Sequence, residues 1–251
     1  MQHIGRRILL FDALASTNDY AASLANDSDA AGTVIRARSQ TAGRGTFGRS
    51  WNSPTDAGVW LSVILDPPTH LRRPAILTAW ATVGVAEAIR PLISRQPRIK
   101  WPNDVLIGRK KVCGILIEQG ARTIVGIGLN VNQSANDFAA AGLPAATSLA
   151  LICGKQFDVD AVATALIASL DHEYELLLHG ELTTLEACWK WRVGLLGRIV
   201  EIERHDGTCI QGRLLEMAFD GLALLSSDGE QMRLMPEEVK HIGEMSNVSE
   251  A

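Results

Sequence analysis

Short runs of apolar residues, some alternating with polar ones, predict β-strands over the first half of the chain. Runs of this length bounded by turn residues are typical of strands, and we expect the first one to be buried. The runs are RRILLF (6–11), GTVIRARS (32–39), GVWLSVILD (58–66), PRIKW (97–101), DVLIGRKKVCGILIEQ (104–119), in which a tight turn at Gly108 and Arg109 joins two strands, and RTIVGIGLNV (122–131).

Other segments of the chain have the features of α-helices. A helix is predicted to begin at STND, with Ser16 or Thr17 as its N-cap. The apolar spacing over 71–92 predicts a long core helix. Further helices are expected from about residues 147, 160 and 182, and the small, polar residues 132–146 favour a mobile loop.

The pattern changes after Arg192. Short strand-like runs follow one another, separated by Asp-Gly pairs at 206–207, 220–221 and 228–229. Repeated Asp-Gly turns between short strands predict a small antiparallel barrel. The sequence therefore predicts an α+β domain over 1–193 and a small β barrel over 194–251.

Composition limits the classes of function. The 251 residues are 47% hydrophobic and 21% charged, and the net charge of −4 gives no general attraction to nucleic acid or to anionic membranes. The four cysteines are widely spaced, which favours reduced thiols and argues against a zinc site. We find neither a signal peptide nor an uncharged apolar run of about 20 residues, so we expect a cytoplasmic protein.

The stretch SQTAGRGTFGRSW (39–51) contains the G-x-G-x-x-G pattern of dinucleotide-binding turns. That motif requires a helix directly after the glycines, because the helix N-terminus holds the pyrophosphate. Only nine residues separate Gly48 from Gly58, and one of them is proline, which excludes the crossover helix. The alternatives are a loop whose Arg44 and Arg49 bind an anion, or a solvated basic loop.

Three downstream segments carry further candidate chemistry. KWPNDVLI (100–107) places Asn103 and Asp104 at a strand end, where a plain Asx turn is the alternative. Strand alternation in GRKKVCGILIE (108–118) predicts Lys111 on the same face as Cys113. GIGLN (126–130) leaves one strand face flat, for a planar ligand or for a closely packed helix. Together these groups suit phosphoryl or adenylyl chemistry, and no P-loop motif occurs.

TAGRGTFGRSW, KWPNDVLI, GRKKVCGILIE and GIGLNV, in this order, together with STND, resemble the motifs of biotin–protein ligases. The resemblance implies a mixed-sheet catalytic domain with helices on the sheet and an SH3-like C-terminal barrel. It implies that biotin, the substrate, reacts with ATP and Mg²⁺ to give biotinyl-5′-adenylate, without a tightly bound prosthetic group. The biotinyl group would then pass to a lysine of the biotin carboxyl carrier protein of acetyl-CoA carboxylase. A homodimer is compatible with this resemblance.

The resemblance also implies roles for individual residues. Those implied for catalysis are Lys111, Arg44 and Asp104. Those implied for biotin are Ser16, Thr17, Asn18, Gln40, Arg44, Gly45, Thr46, Lys111, Gly114, Gly126 and Gly128. Those implied for ATP are Arg44, Arg49, Trp51, Asn103, Asp104, Lys111 and Asn130. Lys111 would stabilise the pentacoordinate phosphorus, and Arg49 and Trp51 would anchor a closing loop. For Ser16 and Thr17 the alternative is a helix cap.

Two departures from the family pattern affect these expectations. The STND element begins at residue 16, which leaves no room for a winged helix-turn-helix, so we expect a ligase without DNA binding. Thr46 stands where the bacterial pattern has a second arginine. Either the loop holds its product more loosely, or another cation such as Arg122 compensates. The competing functions are a lipoate or octanoate ligase, and a non-catalytic ligand-sensing module.

Overall fold

A computed structural model describes residues 2–245 and contains two β-sheets. The larger sheet has seven strands in the order β1-β2-β3-β7-β6-β5-β4, and all its neighbouring pairs are antiparallel except β1 with β2. The strands are β1 (Arg7–Leu14), β2 (Thr33–Gln40), β3 (Gly58–Leu65), β4 (Pro97–Lys100), β5 (Asp104–Ile107), β6 (Lys110–Gln119) and β7 (Thr123–Asn130). Each predicted strand of this half is confirmed. The expectation that the first is buried is wrong, because β1 lies at the sheet edge with Ile8 and Leu10 exposed.

Six α-helices accompany the sheets within residues 2–245. They are α1 (Thr17–Leu24), α2 (Pro74–Ile89), α3 (Ala135–Ala140), α4 (Leu149–Cys153), α5 (Val159–Leu178) and α6 (Leu182–Val193). The long core helix is confirmed as α2, which is apolar around most of its circumference because the sheet, α5 and α6 all contact it. By length and hydropathy Pro74–Leu92 could span a membrane, but 61% of that window is buried within the protein.

The segment 132–146 is not the irregular loop that its composition favours. It contains α3, whose N-cap Ser134 accepts a hydrogen bond from the Asp137 amide while the Asp137 carboxylate accepts one from the Ser134 amide. This reciprocal capping satisfies two donors that a helix start otherwise leaves unpaired. Phe138 anchors the helix by burying its ring.

The second sheet has five antiparallel strands in the order β11-β10-β9-β8-β12. They are β8 (Ile199–Arg204), β9 (Cys209–Ala218), β10 (Gly221–Leu225), β11 (Gln231–Leu234) and β12 (Val239–Glu244). The predicted small antiparallel unit is therefore confirmed, with its turns at the Asp-Gly pairs. Trp101 donates to the Val239 carbonyl at 3.1 Å, and Trp189 packs between Trp101 and Phe219, which joins the two sheets. The domain boundary at 193/194 stays a prediction.

Candidate active site

The loop over 43–51 forms a small hairpin rather than a dinucleotide turn. The Trp51 amide donates to the Gly43 carbonyl at 2.8 Å, and the Gly45 amide donates to the Arg49 carbonyl at 2.7 Å. A short 3₁₀ turn closes the tip, where Phe47 has a φ of 58° and is 60% exposed. No helix follows before β3, so the dinucleotide motif is excluded by the backbone as well as by the sequence.

A cavity of about 250 Å³ lies between this hairpin, the start of α1 and one face of the seven-stranded sheet. Every residue that the sequence implied for the site lines this one cavity. They are Ser16, Thr17, Asn18, Gln40, Arg44, Gly45, Thr46, Arg49, Trp51, Asn103, Asp104, Lys111, Gly114, Gly126, Gly128 and Asn130. The structure thus brings all of them together, and their individual roles stay predictions.

Lys111 reaches the cavity because strand β6 contains a β-bulge. Val105 pairs with Cys113 and the next residue of β5 pairs with Lys111, so Val112 is an extra residue without a partner on β5. The bulge reverses the alternation, so Lys111 and Gly114 both line the cavity while Cys113 is buried in the core. The prediction that Lys111 and Cys113 share a face is therefore wrong.

Lys111 is held by an anion and an aromatic ring. Its Nζ lies 2.6 Å from Asp104 Oδ1 and 5.0 Å from the centre of the Trp51 ring. Asp104 begins β5, directly after the turn that contains Asn103. Asn103 does more than form a turn, because its amide donates to the Ile115 carbonyl at 2.6 Å and ties the turn to β6. A cation is thus fixed on the cavity wall, where it can stabilise charge that develops on a phosphate.

Gly114 of β6 and Gly126 and Gly128 of β7 form a strip without side chains, which we call the glycine strip. The side chains of Trp51 and Asn18 lie on it. A Cβ at Gly128 would lie 2.4 Å from the Trp51 ring, and one at Gly114 would lie 2.8 Å from it. A Cβ at Gly126 would lie 2.3 Å from Asn18 Oδ1. The glycines are therefore required for close approach, with α1 supplying one of the neighbours and the hairpin the other. The Trp51 Nε1 is buried without a hydrogen-bond partner among residues 2–245.

One end of the cavity is a network of neutral polar side chains. Gln40 Oε1 accepts from the Thr17 amide at 2.8 Å, and Gln40 Nε2 donates to Ser53 at 2.8 Å. The hydroxyl of Ser62 lies 2.7 Å from Thr17 Oγ1 and 2.5 Å from Asn18 Oδ1. Such a network offers donors and acceptors in fixed directions, which suits a polar ring system. The alternative that Ser16 caps a helix is also confirmed, because its hydroxyl accepts a hydrogen bond from the Asp19 amide at the start of α1.

The cations of the hairpin are paired with groups of the protein. Arg44 donates to Asp19 at 2.6 Å and to Glu118 at 2.9 Å. Arg49 donates to the hydroxyl and carbonyl of Thr46 at 3.0 and 3.2 Å. The suggestion that Arg122 replaces the missing arginine is wrong. Its guanidinium donates to carbonyls at the end of α1, at 2.5 and 2.6 Å, and does not line the cavity.

Sequence reasoning missed several residues of this site. Glu118 and Ser62 belong to the network, and Gln133 is 2% exposed, with Nε2 donating to Asn130 and Oε1 unpaired among residues 2–245. Further missed lining residues are Ser50, Asn52, Leu61, Ile115, Leu116, Ile127, Phe138, Leu143 and Ala146. Glu118 closes the GRKKVCGILIE motif, so its place in that segment was an available signal. Ser50, Ile115, Leu116 and Ile127 also lie inside the quoted motifs, and nothing local marked the remaining residues.

Comparison with known proteins agrees with this geometry. The sequence model of the family described as "Biotin/lipoate A/B protein ligase family" matches residues 10–132. The chain is 35% identical over 232 residues to the bifunctional ligase/repressor BirA of Bacillus subtilis, covering 90% of this chain and 71% of that protein. It is 31% identical to the biotin–[acetyl-CoA-carboxylase] ligase of Mycobacterium tuberculosis, covering 90% and 86%.

A solved structure shows the same fold. The biotin protein ligase from Aquifex aeolicus in complex with biotin and ATP superposes with a TM-score of 0.81 at 25% identity, over 96% of this chain and 100% of that chain. The agreement extends through the C-terminal sheet, since it includes nearly all of both chains. From the extent of these relationships, the chain belongs to the biotin/lipoate A/B protein ligase family.

Proposed function

We propose that this chain is a biotin–protein ligase, which activates biotin with MgATP to biotinyl-5′-adenylate and transfers the biotinyl group to a lysine of a carrier protein. The observation that carries the proposal is the single cavity that combines Arg44, the Lys111–Asp104 pair and a directed network of neutral polar groups. The relatives named as biotin ligases, and the related structure with biotin and ATP, support the same chemistry.

In the first step a carboxylate oxygen of biotin attacks the α-phosphorus of ATP, and the bond to pyrophosphate breaks. Two anions must approach each other for this reaction, so the protein has to neutralise both. We assign Arg44 to the biotin carboxylate and the α-phosphate, because its planar guanidinium can donate to two oxygens at once. Lys111 stabilises the charge on the pentacoordinate phosphorus. The Thr17–Gln40 network holds the biotin head group at the other end of the cavity.

Mg²⁺ is proposed to enter as the ATP complex. Among residues 2–245, no group of three or more His, Cys, Asp or Glu side chains is placed to hold a metal ion. Mg²⁺ in nucleotide sites is commonly bound by one or two carboxylates together with substrate phosphates. Asp104 supplies one carboxylate on the cavity wall, and we assign Asn103 and Asn130, which line the same cavity, to the nucleotide. Their amides have internal partners, so contact with the nucleotide would exchange those hydrogen bonds. These residues fit a metal that the triphosphate carries.

In the second step the amine of a carrier lysine attacks the acyl carbon of the adenylate, and AMP leaves. The hairpin over 43–51 shields the mixed anhydride from water until that amine arrives. We propose the biotin carboxyl carrier protein of acetyl-CoA carboxylase as the acceptor, in keeping with the name of the M. tuberculosis relative. A cytoplasmic location follows from this proposed partner.

Exchange of labelled pyrophosphate into ATP tests the first step. Biotin should support exchange, whereas lipoate and octanoate should not. Exchange with lipoate or octanoate but not with biotin would replace this proposal by a lipoate-type ligase, since the family includes both activities. If no acid supports exchange although biotin binds, the chain is a ligand-sensing module. Mass spectrometry of the carrier domain then measures transfer.

A further inference from the structure

We infer that Glu118 is a positioning residue which links the polar end of the cavity to the arginine of the hairpin. Its Oε2 accepts from Asn18 Nδ2 at 2.7 Å and from Arg44 Nη2 at 2.9 Å. Asn18 lies in the first turn of α1 and Arg44 lies on the hairpin, so one carboxylate oxygen joins two elements that are distant in sequence. Glu118 itself does not line the cavity.

The carboxylate determines the direction of the hydrogen bonds beyond Asn18. An ionised carboxylate only accepts, so the amide nitrogen of Asn18 must face Glu118 and its oxygen must face Ser62. Ser62 therefore donates to Asn18 Oδ1 at 2.5 Å, and its hydroxyl oxygen also lies 2.7 Å from Thr17 Oγ1. In Glu118→Gln, the side-chain amides of residue 118 and of Asn18 could both rotate by half a turn. The hydrogen bonds from residue 118 through Asn18 and Ser62 to Thr17 would then no longer have a fixed direction.

The direction of these hydrogen bonds matters because the proposed function places biotin beside them. The cyclic urea of biotin presents a carbonyl acceptor and two N–H donors, so it binds well only where the facing donors and acceptors have the matching order. A neighbouring amide that points the wrong way leaves a buried group unpaired, which costs affinity. This inference rests on the proposed function for its ligand, but the geometry at Asn18 can be tested without any ligand.

Asp19 provides a matched control within the same site. Asp19 and Glu118 both accept from Arg44 Nη2, at 2.6 and 2.9 Å, but only Glu118 has a hydrogen bond with Asn18. Glu118→Gln and Asp19→Asn each remove one negative charge beside Arg44 with little change in shape. A difference between them therefore reports the Asn18 connection and not the charge.

The first measurement uses the free protein. NMR signals of the Asn18 side-chain amide, assigned with Asn18→Ser, should shift in Glu118→Gln and stay near their parent positions in Asp19→Asn. An unshifted Asn18 amide in Glu118→Gln overturns the inference whatever the protein binds. Thermal unfolding of both variants checks that the fold is retained.

The second measurement is biotin affinity by calorimetry. We expect Glu118→Gln to weaken biotin binding by about tenfold, the effect of one hydrogen bond to a charged group, and Asp19→Asn by less than about twofold. In kinetics, Glu118→Gln should raise the biotin KM more than it lowers kcat. Ser62→Ala breaks the same row at its next bond, so the double variant should be little worse than either single variant.

The outcomes separate the two proposals. Equal weakening in Glu118→Gln and Asp19→Asn would mean that Glu118 acts through the charge of Arg44 alone, which overturns the link to the polar network. A parent protein that does not bind biotin would overturn the proposed function. In that case the Asn18 amide signals still decide whether Glu118 positions Asn18.

Discussion

Replacing Lys111 by alanine removes the cation whose Nζ lies 2.6 Å from Asp104 on the cavity wall. Loss of one preorganised group that stabilises a charged transition state typically lowers the rate by about 10²–10³-fold, or roughly 3–4 kcal/mol. We therefore expect Lys111→Ala to lose adenylate synthesis by at least this factor. The ion pair is partly exposed to solvent, so the free energy of unfolding should change by only about 1 kcal/mol or less.

A second effect of Lys111→Ala arises from Asp104. Without its partner, this carboxylate would face the incoming phosphates as a bare negative charge. Two like charges about 4 Å apart repel by roughly 4 kcal/mol at an effective dielectric constant near 20. The double variant Lys111→Ala, Asp104→Asn removes that repulsion but also the carboxylate proposed for Mg²⁺, so activity above that of Lys111→Ala would show that the repulsion is the larger of the two effects.

Biotin-dependent pyrophosphate exchange measures both effects, and Lys110→Ala is the matched control. Lys110 is the neighbouring lysine on β6, but it is exposed and does not line the cavity. Near-normal exchange in Lys111→Ala, with the fold intact by thermal unfolding, would refute the role assigned to Lys111. Equal losses in the two lysine variants would show that general surface charge matters and not the position created by the bulge.

Three further predictions concern the cavity and its surroundings. Thr46→Arg should slow release of the adenylate, because a guanidinium makes stronger, charge-assisted hydrogen bonds than a hydroxyl; equal release rates measured by filtration would show that the loop is already compensated. Gly128→Ala should abolish exchange, because its Cβ would lie 2.4 Å from Trp51, whereas Gly120→Ala, whose nearest neighbour would be 3.9 Å away, should be tolerated. Burial raises the pKa of the Cys113 thiol, with the nearby lysine offsetting only part of the rise, so the thiol stays protonated and should resist a thiol reagent up to about pH 9 in the native protein but react once it is unfolded.

The composition of the site could be predicted from the sequence because its residues occur in short motifs, most of them at strand ends and turns and the glycines of β6 and β7 on one strand face. Glycines with arginines, the Asn103–Asp104 turn and the spacing of Gly126, Gly128 and Asn130 each point to the cavity. The end of each strand is where the chain leaves the sheet, so polar groups there remain accessible. This logic places residues near one another, but it does not determine which atoms meet.

The orientation of Lys111 shows where such reasoning fails. A β-bulge is defined by the pairing between two strands, and Val112 is an ordinary strand residue with no local sign that it lacks a partner on β5. The contact of Glu118 with Asn18 likewise joins residues 100 positions apart. Alpha-helix α3 is different, since the spacing of Ser134 and Asp137 resembles a capping box and could have been recognised.

The ion pairs of the site imply how substrates would bind. Each cation assigned to the reaction already has an internal partner, because Arg44 contacts Asp19 and Glu118, and Lys111 contacts Asp104. The Trp51 ring likewise covers the glycines on which the ligand would lie. Binding of the proposed substrates is therefore an exchange of partners and not a simple gain of contacts. Because the protein gives up internal ion pairs to form the ligand contacts, the affinity for the substrates should be lower than the number of those contacts suggests. The carboxylates released in the exchange would favour entry of ATP with its bound cation over entry of the bare triphosphate.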